Sequence, residues 1–207
     1  VLAVNFVQPQ GRVTEPGASP RLVLASASPR RAQLLASLGL TFEVMAPSVD
    51  ETPANGESPA HLVERLAQAK VLEIAWENHE ALVIGADTTV TLDGVAINKP
   101  SGFEENRRFI ERLAGRRHEV FTGHALAYGG RRESFVVRTV VEFRPLSEPE
   151  IVAYCRSGEG LDKAGGYAIQ GVGATLVTGI EGCYPNVMGL SLVNVVLAAR
   201  RLGVNLV

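Results

Sequence analysis

One ten-residue stretch, Leu22-Val23-Leu24-Ala25-Ser26-Ala27-Ser28-Pro29-Arg30-Arg31, leaves the chain little freedom locally. Four apolar residues in a row read as a short buried strand. Ser28 suits a helix N-cap and Pro29 the first helical position. Leu34, Leu35 and Leu38 then share one apolar face, and Gly39 stops the helix. The unit is strand, tight turn, helix. A helix N-terminus presents unpaired N–H groups and a partial positive charge, so it favours anions. Arg30 and Arg31 stand in that first turn, where the helix dipole disfavours cations. Two readings follow. The arginines hold a phosphate chain, or they are solvated residues on an ordinary helix start.

With 207 residues, 46% of them hydrophobic and 20% charged, the chain can enclose a sizeable core. A net charge of −2 gives no basic surface for non-specific nucleic-acid binding. No apolar run approaches the length of a membrane span. Val1–Val7 is apolar but short and lacks a basic flank, so it makes a poor signal peptide. Cys155 and Cys183 are the only cysteines and read as free thiols in a reducing, cytoplasmic compartment. The four histidines show no HExxH spacing, which argues against zinc. One count is more pointed. Of 20 basic residues, 17 are arginine and three are lysine, namely Lys70, Lys99 and Lys163. A chain so free with arginine keeps lysine either by chance or where a compact, rotatable ammonium is needed.

Residues 1–20 carry three prolines and no clear period, and are read as a loose extension. After the first unit, Phe42–Ala46 is predicted as a short strand and Pro47–Gly56 as a polar loop holding Asp50 and Glu51. Ser58-Pro59 starts a second helix with Leu62, Val63, Leu66 and Ala69 on one side. Lys70 lies late in that helix, where a lysine commonly snorkels. Ala81–Ala86 reads as a buried strand ending at Asp87, with Thr88–Leu92 still extended. Asp93-Gly94 and Gly129-Gly130 are hairpin turns. Ser101 with Glu104, and Ser147 with Glu150, read as capping boxes. Gly158–Gly173 packs six glycines around Asp162, Lys163, Tyr167 and Gln170. A strand over Gly173–Ile180 and a last helix over Ser191–Leu202 complete the chain.

Charged residues therefore gather at the edges of regular elements in four places: Ser26–Arg31, Asp50-Glu51, Asp87-Thr88 with Lys99, and Asp162–Gln170. A carboxylate at the end of a buried strand often lines a cleft, although Asp is also a common turn residue. Glu51 and Asp87 together suit a hard divalent cation, which takes carboxylate, phosphate and water oxygens. Arginines and lysines for phosphates, carboxylates for metal and base, and a glycine-rich loop point to phosphoanhydride chemistry. No Walker A, GxGxxG or GxSxG motif occurs.

These stretches, LASASPRRAQLLASLGL, the VDET of Val49–Thr52, GADTTVTLDGVAINKP at Gly85–Pro100 and DKAGGYAIQG at Asp162–Gly171, closely resemble the Maf-type nucleoside triphosphate pyrophosphatases. The resemblance spans residues 21–202 and keeps every motif in order. It implies an α/β fold, with a long mixed, twisted sheet flanked by helices and a cleft between two lobes. It implies one such domain over 21–207, commonly paired as a homodimer. It implies metal-dependent hydrolysis of a nucleotide to its monophosphate and pyrophosphate, with Mg or Mn as the cation. The DKAGxYxIQG form is similar to the branch acting on dTTP and UTP. The alternatives are the 7-methyl-GTP branch, a house-cleaning activity on modified nucleotides, and a non-catalytic regulator of cell division and septum formation. By motif position, Asp87 is the expected general base and metal contact, and Glu51 a metal ligand. Lys70, Lys99 and Lys163 are expected to neutralise phosphate charge. Arg31, Thr88 and Gln170 fall at specificity positions, and Ser26, Ser28 and Arg30 join them in binding substrate. Ser191 stands where relatives usually have proline.

Overall fold

The computed structural model describes residues 20–207, so the reading of residues 1–19 as a loose extension lies outside the described residues. Strand β1 (Arg21–Ala25) is buried on both faces because its side chains alternate between two apolar clusters. Leu22 and Leu24 enter one cluster, and Val23 and Ala25 the other. Strand β3 (Ala81–Leu92) lies parallel to it and divides the same way, with Leu82, Ile84 and Ala86 on the first face and Ala81 and Val83 on the second. Burying a Leu or Ile side chain fully contributes about 1.5–3 kcal/mol. Leu24, Leu82 and Ile84 are fully buried, so this pair of strands anchors the core.

Around them the sheet has seven strands. β2 (Glu43–Met45) pairs parallel to β1 at one edge. β4 (Val95–Ile97), β5 (Arg117–Tyr128), β6 (Arg131–Phe143) and β7 (Val177–Glu181) add antiparallel pairings, giving the order β2-β1-β3-β5-β6-β7 with β4 on the edge of β3. The expected mixed sheet is therefore present. Both hairpins form as read: Asp93 and Gly94, and Gly129 and Gly130, all have positive φ, as tight hairpin turns require.

Helix α2 (Pro59–Ala75) starts at Ser58, whose Oγ accepts the His61 N–H at 3.3 Å. It covers the smaller cluster. Two glycines let it approach the sheet closely: a Cβ on Gly85 would sit 2.7 Å from Val71 Cγ2, and one on Gly123 would collide with the Val63 carbonyl. This seating turns Val63, Leu66, Ala67, Lys70 and Val71 inward, so the buried side is rotated from the expected Leu62–Ala69 face. The larger cluster gathers α1 (Pro29–Ala36), α3 (Phe103–Leu113), α4 (Glu148–Arg156) and α6 (Leu192–Arg201). The short helix α5 (Tyr184–Val187) precedes α6, which begins directly after Ser191.

Three local expectations are corrected. Ser101 does not box with Glu104: its N–H and Oγ both bond Glu105 Oε2 at 2.7 Å, because α3 begins at Phe103 after Gly102. The Ser147–Glu150 box does form. Gly173–Ile180 is not one strand. Residues Gly171–Leu176 make 3₁₀ turns, since Glu159 takes the Val172 and Gly173 N–H groups, and β7 starts only at Val177. Asp87, finally, does not end a strand: β3 runs through it to Leu92.

Candidate active site

The interruption lies beside β3, not in it. β1 pairs with β3 only up to Gly85, and β4 pairs with the same side only from Val90. From Ala86 to Thr89 that edge is left without a strand, at the point where the sheet changes from parallel to antiparallel neighbours. Open α/β sheets place their ligand crevices at such switch points. A cleft of about 870 Å³ lies here, lined from β1 through the loop at Gly189.

Successive β3 side chains point to opposite faces, so Asp87 turns towards α2 and Thr88 towards α1. Asp87 meets Lys70, whose Nζ lies 2.6 Å from Asp87 Oδ1 and 2.5 Å from Glu51 Oε1. Lys70 is only 7% exposed, and so is not a snorkelling residue. Its ammonium clamps the two carboxylates that the sequence left far apart. Desolvation pushes the Glu51 carboxyl up, and the Lys70 hydrogen bond and charge, with Lys99 and Arg31, outweigh it and hold it low. One oxygen of each carboxylate is engaged by Lys70, which leaves the other for a ligand.

On the far side, α1 rises from β1 through Ser26–Ser28. Ser28 occupies the N-cap position but makes no side-chain cap bond. Ser26 serves the turn instead, accepting the Ser28 N–H at 3.2 Å and Arg31 Nη1 at 3.1 Å. The helix N-terminus thus stays open towards the cleft. Arg31 also bonds across the fold: Nε donates to the Gly189 carbonyl at 2.8 Å and Nη2 to Thr88 Oγ1 at 3.0 Å. It braces the turn against β3 and the Gly189 loop. Arg30 pairs with Asp162 at 2.9 Å, and Lys163 bonds Asp162 at 2.5 Å and the Glu159 carbonyl at 2.6 Å. Partial desolvation raises the Asp162 carboxyl, and its Lys163 and Arg30 bonds more than offset this, holding it down at about 2.

Thr88 carries a further constraint. Its cross-strand partner is Thr122, 3.1 Å away. Thr122 Oγ1 also lies 3.0 Å from the Asn186 carbonyl, which can only accept. The single Thr122 hydrogen therefore goes to Asn186, and Thr88 must donate to Thr122. Thr88 already accepts from Arg31, so what it has left for a ligand is an acceptor lone pair.

The glycine-rich segment is pinned to the core. The Tyr167 hydroxyl meets His118 Nε2 at 2.7 Å, Asn106 Nδ2 donates to the Gly166 carbonyl at 2.6 Å, and Tyr154 Oη accepts the Ala168 N–H at 3.0 Å. Burial lowers His118 to about 4, so this ring is neutral. Gln170 is exposed on the cleft wall, as is Lys99, which forms no ion pair among the described residues.

Every residue given a site role from the sequence lines one cleft, including all three lysines, whereas Asp50, singled out beside Glu51, stays outside it and accepts the Thr52 N–H. The residues that sequence reasoning passed over are Thr122, Asn186, Gly189 and Glu159. The first three matter through strand register and a loop closing from 158 residues away, and neither leaves a local signal. Glu159 stood inside the glycine-rich stretch and carried the one carboxylate there that was not singled out.

The chain is 50% identical over 185 residues to a protein of Myxococcus xanthus (strain DK1622) named dTTP/UTP pyrophosphatase, covering 89% of this chain and 94% of that one. A Syntrophus aciditrophicus (strain SB) protein of the same name is 48% identical over 185 residues, covering 88% and 90%. One from Vibrio cholerae is 50% identical over 173 residues, covering 83% and 92%. The family described as Maf-like protein matches residues 21–202, from the first residue of β1 to just beyond α6. The chain belongs to the Maf family.

Proposed function

We propose that this protein hydrolyses dTTP and UTP to the nucleoside monophosphate and pyrophosphate, with residues 21–207 acting as one catalytic unit. The observation that carries the reading is the Glu51–Lys70–Asp87 clamp in a cleft whose other groups include Arg30, Lys99 and Lys163. Carboxylates that can orient water stand in the same cleft as cations that can receive a triphosphate. Asp87 accepts a proton from the water that attacks the α-phosphorus. The new P–O bond forms as the bond to the bridging oxygen breaks, and pyrophosphate leaves with the electron pair. Lys99, Lys163, Arg30 and the open N-terminus of α1 meet the charge that builds on the departing group. Lys70 helps hold Glu51 ionised and fixes both carboxylates in direction.

Glu51 and Asp87 fit a hard cation, since both are oxygen donors and each has one oxygen not engaged by Lys70. No group of three or more metal-ligating side chains occurs among the described residues, so Glu51 and Asp87 are the side chains that would hold the ion. Mg²⁺ or Mn²⁺, when bound there, would supply neutralisation of phosphate charge.

The base preference rests on two groups. Uracil and thymine present an N3–H donor between two carbonyls, which suits the acceptor left on Thr88 and the amide N–H of Gln170. Cytosine presents an acceptor at N3, which opposes Thr88. A site that pairs specific polar edges penalises the base that leaves them unpaired. The test is pyrophosphate release from dTTP, UTP, CTP, GTP and 7-methyl-GTP, with and without chelator. We expect kcat/KM for dTTP and UTP to exceed that for CTP by roughly 10²-fold or more, and all activity to vanish on chelation. Preference for 7-methyl-GTP, or activity that survives exhaustive chelation, contradicts the reading.

A further inference from the structure

Gln170 lies between two backbone anchors. Two residues before it, the Ala168 N–H is held by Tyr154 Oη at 3.0 Å. Two and three residues after it, the Val172 and Gly173 N–H groups both go to one carboxylate: Glu159 Oε1 accepts from Val172 at 3.1 Å, and Oε2 from Gly173 at 2.7 Å. The carboxylate also fills the space over Gly171, whose φ is +62° and where a side chain would strike Glu159 Oε1. Glu159 thereby caps the 3₁₀ turns Gly171–Leu176, in which Gln170 is the N-cap residue. Its own carbonyl takes the Lys163 ammonium. A single residue, three positions beyond α4, therefore sets the backbone that carries Gln170 and seats a cleft-facing lysine.

We infer that Glu159 is a positioning residue for base recognition, acting through Gln170. It rests on the reading of Gln170 as a base-contacting group. The physical requirement is an acceptor on both oxygens. A glutamine at 159 has the same shape, but its amide has one acceptor oxygen and one NH₂ group, and that NH₂ faces a backbone N–H. One of the two N–H bonds to residue 159 is then lost, and the backbone that carries Gln170 is no longer fixed on that side.

The test is a double-mutant cycle on base selectivity, read as the ratio of kcat/KM for UTP to that for CTP. Four proteins are compared: wild type, Glu159→Gln, Gln170→Ala, and the two combined. Residues that act as one unit give strongly non-additive effects. The expected result is a selectivity loss of roughly tenfold in Glu159→Gln, carried more by KM for UTP than by kcat. The double variant should show the ratio of Gln170→Ala alone. Glu159→Asp keeps the charge but cannot span both N–H groups, and should lose selectivity as well. Thermal melts establish that each variant is folded at the assay temperature. Independent, multiplicative losses in the double variant overturn the inference, as does a wild-type ratio in Glu159→Gln when Gln170→Ala has lost it. An unchanged ratio in Gln170→Ala overturns the base-contact reading at Gln170, and the inference with it.

Discussion

Replacing Asp87 by Asn should cut turnover of UTP by ~10²–10⁴-fold, the usual cost of losing a positioned general base. The substitution is nearly isosteric. Its carbonyl oxygen can still accept the Lys70 hydrogen bond seen at 2.6 Å, and Lys70 keeps its second partner, Glu51. The fold should therefore survive, with α2 still seated on Gly85 and Gly123. What disappears is the proton acceptor next to the open edge of β3. Steady-state kinetics beside a thermal melt separates the two effects. Near wild-type turnover in a folded Asp87→Asn protein would falsify the assignment of Asp87 as base.

The second large effect is expected at Lys70, in both stability and activity. Lys70→Met keeps the length and apolar stem of a side chain on the buried side of α2, and removes only the ammonium. Two carboxylates that shared one cation are then left facing each other. Removing one partner of a buried pair costs ~3–5 kcal/mol. The Glu51 side chain is 55% exposed and can turn to water, so a loss nearer ~2–3 kcal/mol is expected here. For a chain of this size that corresponds to roughly 4–12 °C in Tm. Activity should fall with it, because Asp87 loses the contact that fixes its direction. A Lys70→Met protein that melts with wild type and retains turnover would show that the clamp has no role in either.

Much of this site was legible because its parts sit in short-range grammar. Ser28-Pro29 announces α1, the apolar run Ala81–Ala86 announces β3, and Asp93-Gly94 forces the hairpin that brings Lys99 back to the cleft. The scarcity of lysine pointed to three positions that share one cavity. The partnerships were not legible. Lys70 reaches Asp87 only because glycines at 85 and 123, on two neighbouring strands, let a helix settle against the sheet. Thr88 becomes an acceptor only through the register that sets it opposite Thr122. Arg31 looked like a phosphate ligand from its place in the helix turn. Three of its five N–H donors go to Ser26, Thr88 and the Gly189 carbonyl, in a loop that no local pattern ties to residue 31. Gly173–Ile180 reads as one strand, and a carboxylate 13 residues before Val172 diverts its first part into the 3₁₀ turns Gly171–Leu176.

The central claim is that water attacks the α-phosphorus of a nucleoside triphosphate held in this cleft. A single turnover of UTP in ¹⁸O-labelled water, with Mg²⁺ present, reads the site of attack directly from the products by mass spectrometry. Attack guided by Asp87 at the α-phosphorus puts one ¹⁸O into UMP and none into pyrophosphate. Label in pyrophosphate, or release of labelled orthophosphate with UDP, would contradict the account.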